Sequence, residues 1–435
     1  MIKYKLICTD CGSEYLKDEV EYVCPDCAVG QRPKHPTLGI LKVEYDYKGL
    51  KKKFTPAALK RNKIKSQERY IDLLPLDDAR LLPPLAIGPT PLEKVERLRS
   101  RLRLNGLFIK NDTCLPTGSF KDRASSVVVA KARELKKDII TTASTGNAAT
   151  ALAGMSASVG MKNVIFVPEA APKAKLTQIA MFGARLVPVK GTYDDAFALS
   201  IEATKKFGWY NRSTGFNPYT IEGKKTAAFE IFEQLDFKAP DKVFIPTGDG
   251  VILAGTYKGF YDLLQLGLIE KLPQIVCVQA AGSCAIVDAI ADNIVAQDFS
   301  PANIGRPKGL RYEWNGRLKP SATIADSISV SAPACGNWAL KIVRETGGFG
   351  VKVTDDEIMA ASKELSVYSG IFAEPAAAAA FAGLIKAAKD GRVRQDDTVV
   401  VLITGTGLKD IPAAMKVINI PEAIEPDIKL LGHSE

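Results

Sequence analysis

The sequence predicts an α/β protein of two doubly wound domains, preceded by a small zinc-ribbon-like unit. Three observations lead there. From residue 107 onward, strand-like and helix-like runs alternate, as they do in parallel sheets joined by crossover helices. At 435 residues the chain is too long for one compact core. Two Cys-x-x-Cys pairs stand near its start, apart from the alternating region.

In chain order, residues 1–47 form the ribbon-like unit. Cys8, Cys11, Cys24 and Cys27 make two knuckles twelve residues apart, with strand-like segments at Glu21 to Val23 and Ile40 to Tyr45. Four thiolates at this spacing close a tetrahedral zinc site, structural because no ligand position stays open. Free thiols or disulfides are the alternatives. Residues 48–85 read as a basic, then Pro-rich linker, and Glu93 to Leu104 as a charged helix. Strands follow at Leu107 to Lys110, Asp138 to Ala143, Asn163 to Val167 and Arg185 to Val189, with helices between them and a further helix from Tyr193 to Phe207. Asp241 to Pro246, Gln274 to Gln279 and Thr398 to Thr404 supply further buried strands. The small domain is expected at 130–210, inserted into a large one at 86–129 and 211–418. An irregular connection spans 299–322, and 419–435 is a tail.

Composition narrows the function. Hydrophobic content of 46% and charged content of 25% suit a soluble globular protein. No apolar run reaches a membrane span and the start carries no signal-peptide pattern. The cytoplasm is therefore expected, and eight cysteines do not change that. From Lys42 to Arg69, ten Lys/Arg face three acids. Without aromatic interleaving or a recognition-helix pattern, this reads as a solvated face rather than a nucleic-acid surface.

The chemistry centres on Pro116-Thr117-Gly118-Ser119-Phe120-Lys121-Asp122-Arg123. A lysine just inside a helix start meets the positive end of the dipole, which favours the neutral amine and hence Schiff-base formation. Three other turns follow strands, where open α/β sheets bind ligands. Ser144-Thr145-Gly146-Asn147 opens a helix whose amides suit a carboxylate. Thr247-Gly248-Asp249-Gly250-Val251 suits a phosphate held by amides. Thr404, in Thr404-Gly405-Thr406-Gly407, offers a hydroxyl to a pyridine nitrogen. Each turn alone reads equally well as ordinary capping.

Taken together with Gly370-Ile371-Phe372-Ala373-Glu374-Pro375 and Gly88-Pro89-Thr90-Pro91-Leu92, these strings resemble threonine synthase. More broadly they resemble the fold-type II, tryptophan synthase β-like enzymes that use pyridoxal 5'-phosphate, over roughly residues 85 to 415. The double Cys-x-x-Cys ribbon is similar to that of some threonine synthases. The resemblance implies that Lys121 is the Schiff-base lysine and proton shuttle, with Phe120 beside it. It implies that Asn147 bonds the ring hydroxyl, that Gly248, Asp249, Gly250, Val251 and Ile252 hold the cofactor phosphate, and that Thr404 faces the ring nitrogen. Ser144, Thr145, Gly146 and Ala148 would take the carboxylate of an amino-acid substrate, O-phospho-L-homoserine. A homodimer is implied in the same way.

The chain departs from the family on the substrate side. Ala148 stands where threonine is common, and Gly-Asp-Gly-Val-Ile (248–252) replaces a loop with two asparagines. The segment Asn211 to Pro218 has altered side chains, leaving Arg212, Lys224 and Lys225 as either compensating phosphate ligands or surface charges. Thr323 to Ile328 is closer to serine/threonine ammonia-lyases, which keeps such a lyase, or another β-elimination or β-replacement enzyme, as an alternative. A nucleic-acid or partner-binding protein with a relict core is the third reading, opposed by the intact Lys121 and Asn147.

Overall fold

A computed structural model describes residues 3–32, 34–292, 314, 316, 318–428 and 431. Most of the irregular connection expected at 299–322 lies outside the described residues, as does the end of the tail.

Three sheets organise the chain. The first is antiparallel, in the order β2-β1-β3: β1 (Tyr4–Cys8), β2 (Glu14–Tyr15) and β3 (Leu41–Tyr45). The largest has six strands: β4 (Leu92–Glu93), β5 (Gly106–Asn111), β10 (Lys242–Pro246), β11 (Gln274–Ala280), β12 (Phe349–Val353) and β13 (Thr398–Ile403). Their order is β12-β11-β10-β13-β5-β4, parallel except for the β4–β5 edge pair. The third is parallel, in the order β8-β7-β6-β9: β6 (Ile139–Ala143), β7 (Lys162–Pro168), β8 (Arg185–Val189) and β9 (Tyr210–Asn211). Continuous apolar runs such as Thr-Val-Val-Val-Leu-Ile in β13 arise because helices cover both faces of a parallel sheet. The Pro375–Lys389 helix lies so close that a Cβ at Gly383 would stand 2.6 Å from Val278.

One pairing positions the site. β5 and β13 run parallel in register, with Leu107 beside Val399 and Asn111 beside Ile403. The loops leaving their C-terminal ends are therefore neighbours, and Ser119 bridges Gly405. Thr404 falls just past the strand end rather than inside it.

Three expectations change. Glu21 to Val23 forms no strand; Val23 makes one bridge to Ile40. The charged helix shrinks to Glu96–Leu102, because Leu92 and Glu93 extend the large sheet as its antiparallel edge. Residues 48–85 are more than a linker: Phe54, Leu59, Tyr70, Leu73 and Leu74 are buried in the main core. Lys48, Lys51, Lys52, Lys53, Lys60, Lys63 and Lys65 stay exposed on the outer side. No helix of the described residues is long and apolar enough to cross a membrane.

Candidate active site

Lys121 begins the Lys121–Glu134 helix, and the chain is clamped on both sides of it. Asp122 accepts the Thr117 backbone N–H at 2.7 Å and also the Thr117 hydroxyl. Arg123 is fully buried and donates to Asp112 (Nε, 2.6 Å) and Glu230 (Nη1, 2.6 Å). The preceding turn is stitched to the β13 loop: Phe120 N–H donates to the Thr404 carbonyl at 2.8 Å, and Thr406 N–H to the Gly118 carbonyl at 3.0 Å. Gly118 has φ +79°, and a Cβ there would stand 2.9 Å from Thr406. These constraints leave the Lys121 side chain as the part free to act. Among the described residues its Nζ has no hydrogen-bond or ion-pair partner. Loss of hydration holds the amine below its usual range, Arg212 pushes the same way, and Asp249 and Glu374 oppose.

Two further cations share this environment. Arg212 and Lys224 are both fully buried, which excludes the surface-charge reading. Arg212 donates to Ser125 (3.1 Å) and Thr214 (2.7 Å), yet its buried Nη2 has no partner. Burial lowers its guanidinium to about 10. Lys224 Nζ reaches only the Thr220 carbonyl, at 3.3 Å, among the described residues. Burial, then Arg212 and Lys121, push it well below the usual lysine range. Asp249 is the opposite charge acting on all three. Lys225 is different: it is committed to Glu222 and Asp262, the latter at 2.7 Å, and so is structural.

Asp249 also caps the Val251–Gln265 helix, accepting from Val251 N–H at 3.2 Å. Gly250 at its N-cap has φ +85°, and a Cβ at Gly248 would stand 2.9 Å from Ile328. The loop is thus a narrow cradle of main chain, with Val251 and Ile252 buried beneath it.

A cavity of about 600 Å³ adjoins Lys121, walled by Thr117 and Gly118, by Thr145, Gly146 and Asn147, and by Ser327 and Glu374. Lys121, Arg212, Lys224 and Asp249 do not line it; Glu374 in its wall and Arg212 outside it both act on the charge of Lys121. Asn147 opens the Asn147–Ala157 helix, whose first turn has no side-chain cap. Its Nδ2 donates to Glu374 at 2.8 Å and to Ser327 at 3.2 Å. Burial raises the Glu374 carboxyl above its usual range. Ser144, Thr145 and Ala148 are partly exposed around the same turn. The site thus gathers Lys121, Phe120, Asn147, the 144–148 turn, the 248–252 cradle, Arg212 and Thr404. Glu374 and Ser327 join it without having been singled out as site residues by sequence, although Glu374 lies in a recognised string; of the two lysines offered beside Arg212, Lys224 joins the site and Lys225 does not.

A family model for pyridoxal-phosphate dependent enzymes matches residues 84–405. The threonine synthase of Methanocaldococcus jannaschii is 35% identical over 425 residues, covering 98% of this chain and 97% of that protein. The threonine synthase of Methanosarcina acetivorans is 37% identical over 434 residues, with 98% and 97% covered. This chain belongs to the pyridoxal-phosphate dependent enzymes, among the threonine synthases. Its fold is that of a processed threonine deaminase from Solanum lycopersicum (TM-score 0.61, 23% identity, 75% of this chain and 82% of that one). Maize serine racemase shares it (TM-score 0.61, 20% identity, 75% and 91% covered).

The enzyme's own residues fit the cofactor. An unpartnered lysine for an aldehyde, open helix amides and the orphaned Ser119 hydroxyl complete the match. At the other end of the chain, the sulfurs of Cys8, Cys11, Cys24 and Cys27 lie within 4.8 Å of one another. Cys8 to Cys27 is 3.8 Å and Cys11 to Cys24 is 3.7 Å. Sulfurs that ligate zinc tetrahedrally at about 2.3 Å stand about 3.8 Å apart.

Proposed function

We propose that the enzyme converts O-phospho-L-homoserine and water to L-threonine and phosphate. The observation that carries this reading is the pair of buried cations with unspent donors, Arg212 and Lys224, beside Lys121. They replace the altered side chains of 211–218 as receivers of phosphate.

Pyridoxal phosphate, when bound, supplies an electron sink for the substrate's Cα. The chain supplies the rest. Amides of Gly248 to Ile252 hold the cofactor phosphate, the Asn147 amide serves its ring hydroxyl, and Thr404 gives the ring nitrogen a neutral partner. The turn of Ser144, Thr145, Gly146 and Ala148 takes the substrate carboxylate, with the Thr145 and Ala148 amides open to it while those of Ser144 and Gly146 are bonded to Phe166 and to the Ser144 hydroxyl. Lys121, desolvated and held below the usual lysine range, removes the Cα and then the Cβ proton; phosphate leaves Cγ with the C–O bonding pair, and Lys121 returns one proton to Cγ and, at the end, the other to Cα. Water adds at Cβ. Phe120, buried beneath Lys121, keeps that side of the site dry.

The four cysteines hold a structural zinc ion, one per chain, a reading supported by their spacing. The family resemblance supports a homodimer, and composition supports the cytoplasm. The test is phosphate and threonine measured together from O-phospho-L-homoserine. Equal amounts are expected. Release of 2-oxobutyrate from threonine with no phosphate from phosphohomoserine selects the ammonia-lyase reading instead, which Ser327 in the cavity wall favours.

A further inference from the structure

The four-cysteine unit is built into the loop that carries Arg212. Tyr22, two residues before Cys24, accepts the backbone N–H of Asn211 on its hydroxyl at 2.9 Å. Its ring stacks on Phe216 with centroids 4.4 Å apart and planes at 20°, and lies 5.8 Å from Tyr210. Tyr22 thus grips both ends of Asn211 to Phe216. Within that loop Arg212 bonds Thr214, and the Asn211 side chain accepts Ser213 N–H at 2.8 Å.

A second tie runs to the phosphate cradle. Thr37 N–H donates to the Ala334 carbonyl at 2.9 Å, and the next residue, Cys335, donates its N–H to the Asp249 carbonyl at 2.7 Å. A Cβ on Gly215 would stand 2.8 Å from the Ala334 side chain, so the two ties meet. Both start from the Cys24 knuckle. Cys24 N–H donates to the Gly39 carbonyl at 2.8 Å, Val23 bridges Ile40, and Gly39, at φ +76°, packs against Cys24 with no room for a side chain. The placement of Cys24 therefore fixes Tyr22 on one side and the 37–40 turn on the other.

We propose that the four-cysteine unit is a positioning element for the substrate phosphate site. Tyr22 is its positioning residue, and metal loading sets the enzyme's affinity for its phosphorylated substrate. The proposal rests on the reading of Arg212 as a phosphate receiver. It does not require Tyr22 to touch substrate. A loosened 211–216 loop misplaces Arg212, which weakens substrate capture, while Lys121, anchored separately through Asp122 and Arg123, keeps its place.

The test uses the full-length, cofactor-loaded enzyme with Tyr22→Phe and Tyr22→Ala, with and without a zinc chelator. Three quantities are read: kcat and KM for O-phospho-L-homoserine, and backbone hydrogen exchange across residues 210–217. Tyr22→Ala is expected to raise KM about tenfold with kcat within about twofold, and to speed exchange at Asn211 to Phe216. Tyr22→Phe, which keeps the ring and loses one hydrogen bond, is expected to raise KM about threefold. Chelation should reproduce the Tyr22→Ala phenotype and add little to it, as coupled perturbations do. Unchanged exchange and unchanged KM in both variants overturn the proposal, as does a fall in kcat with KM intact. If Tyr22→Ala does not fold, Tyr22→Phe and the chelated wild type decide by the same readings. Should the enzyme fail to act on phosphohomoserine at all, the functional reading falls, while the exchange measurement still decides whether the metal unit holds this loop.

Discussion

Replacing Arg212 with alanine tests the electrostatics of the site most directly. The guanidinium is fully buried, spends two donors on Ser125 and Thr214, and leaves Nη2 unmatched. A charge-assisted hydrogen bond to a phosphate is worth about 1.5–3 kcal/mol. Its loss should lower kcat/KM about 10- to 150-fold. The unliganded protein should respond differently. Emptying a buried site of this size costs about 2–4 kcal/mol in packing, but removing one of three clustered cations relieves repulsion on Lys121 and Lys224. Stability should therefore fall less than activity. The assay pairs initial rates over a range of O-phospho-L-homoserine with thermal melts in rising inorganic phosphate. Phosphate stabilises any native state that binds it, so it should raise the wild-type midpoint and lose most of that effect in the variant. A kcat/KM within threefold of wild type, or phosphate protection equal in both, would place the substrate phosphate elsewhere and refute the reasoning.

Other outcomes follow from the same geometry. Lys121→Ala should abolish both turnover and the visible absorption of a lysine-linked cofactor while the melting profile stays cooperative; residual turnover near wild type would remove Lys121 from the chemistry. Glu230→Ala should cost about 3–5 kcal/mol in urea unfolding, because Arg123 and Lys110 are left buried without their shared partner; a loss below about 1 kcal/mol would contradict the buried network. Burial lifts the Asp122 carboxyl from 3.8 to about 6. A folded pKa above the unfolded one gives stability that is complete below about pH 4 and lost as pH rises through about 6. Wild type should thus lose of the order of 3 kcal/mol relative to Asp122→Asn across that window; parallel stability curves for the two proteins would show that Asp122 does not titrate there.

Much of this arrangement is legible in the sequence because local patterns encode it. Arg185 to Val189 and Tyr193 to Phe207 match the observed strand and helix residue for residue. The first has a short apolar run, and the second is bounded by Thr192 as cap and Gly208 in the left-handed region. Lys121 and Asn147 stand at helix starts, where punctuation by Gly and Pro is strongest. What sequence does not reveal is long-range charge placement. Lysines and arginines are ordinarily exposed, so nothing local marks Arg212 and Lys224 as buried. Glu374 meets Asn147 across 227 residues of chain. The docking of residues 48–85 is hidden likewise, because its lysines dominate the composition while Phe54 and Tyr70, spaced irregularly between them, do the burying. A cue existed for Glu374, since an acid directly before the Pro that opens an alanine helix is an odd choice for a buried position.

The order of strands in the large sheet has a consequence for how the enzyme is made. β13 is the last strand of this sheet to be translated, yet it lies between β10 and β5. Until residue 403 has emerged, those two strands have no common neighbour, and each exposes a row of unsatisfied amides and carbonyls. The Phe120–Thr404 and Thr406–Gly118 bonds that seat the lysine turn cannot exist before then. Lys121 is therefore translated early and armed late. A nascent chain has no finished place for a reactive aldehyde, and the half-built sheet is the stage most exposed to mispairing with another chain.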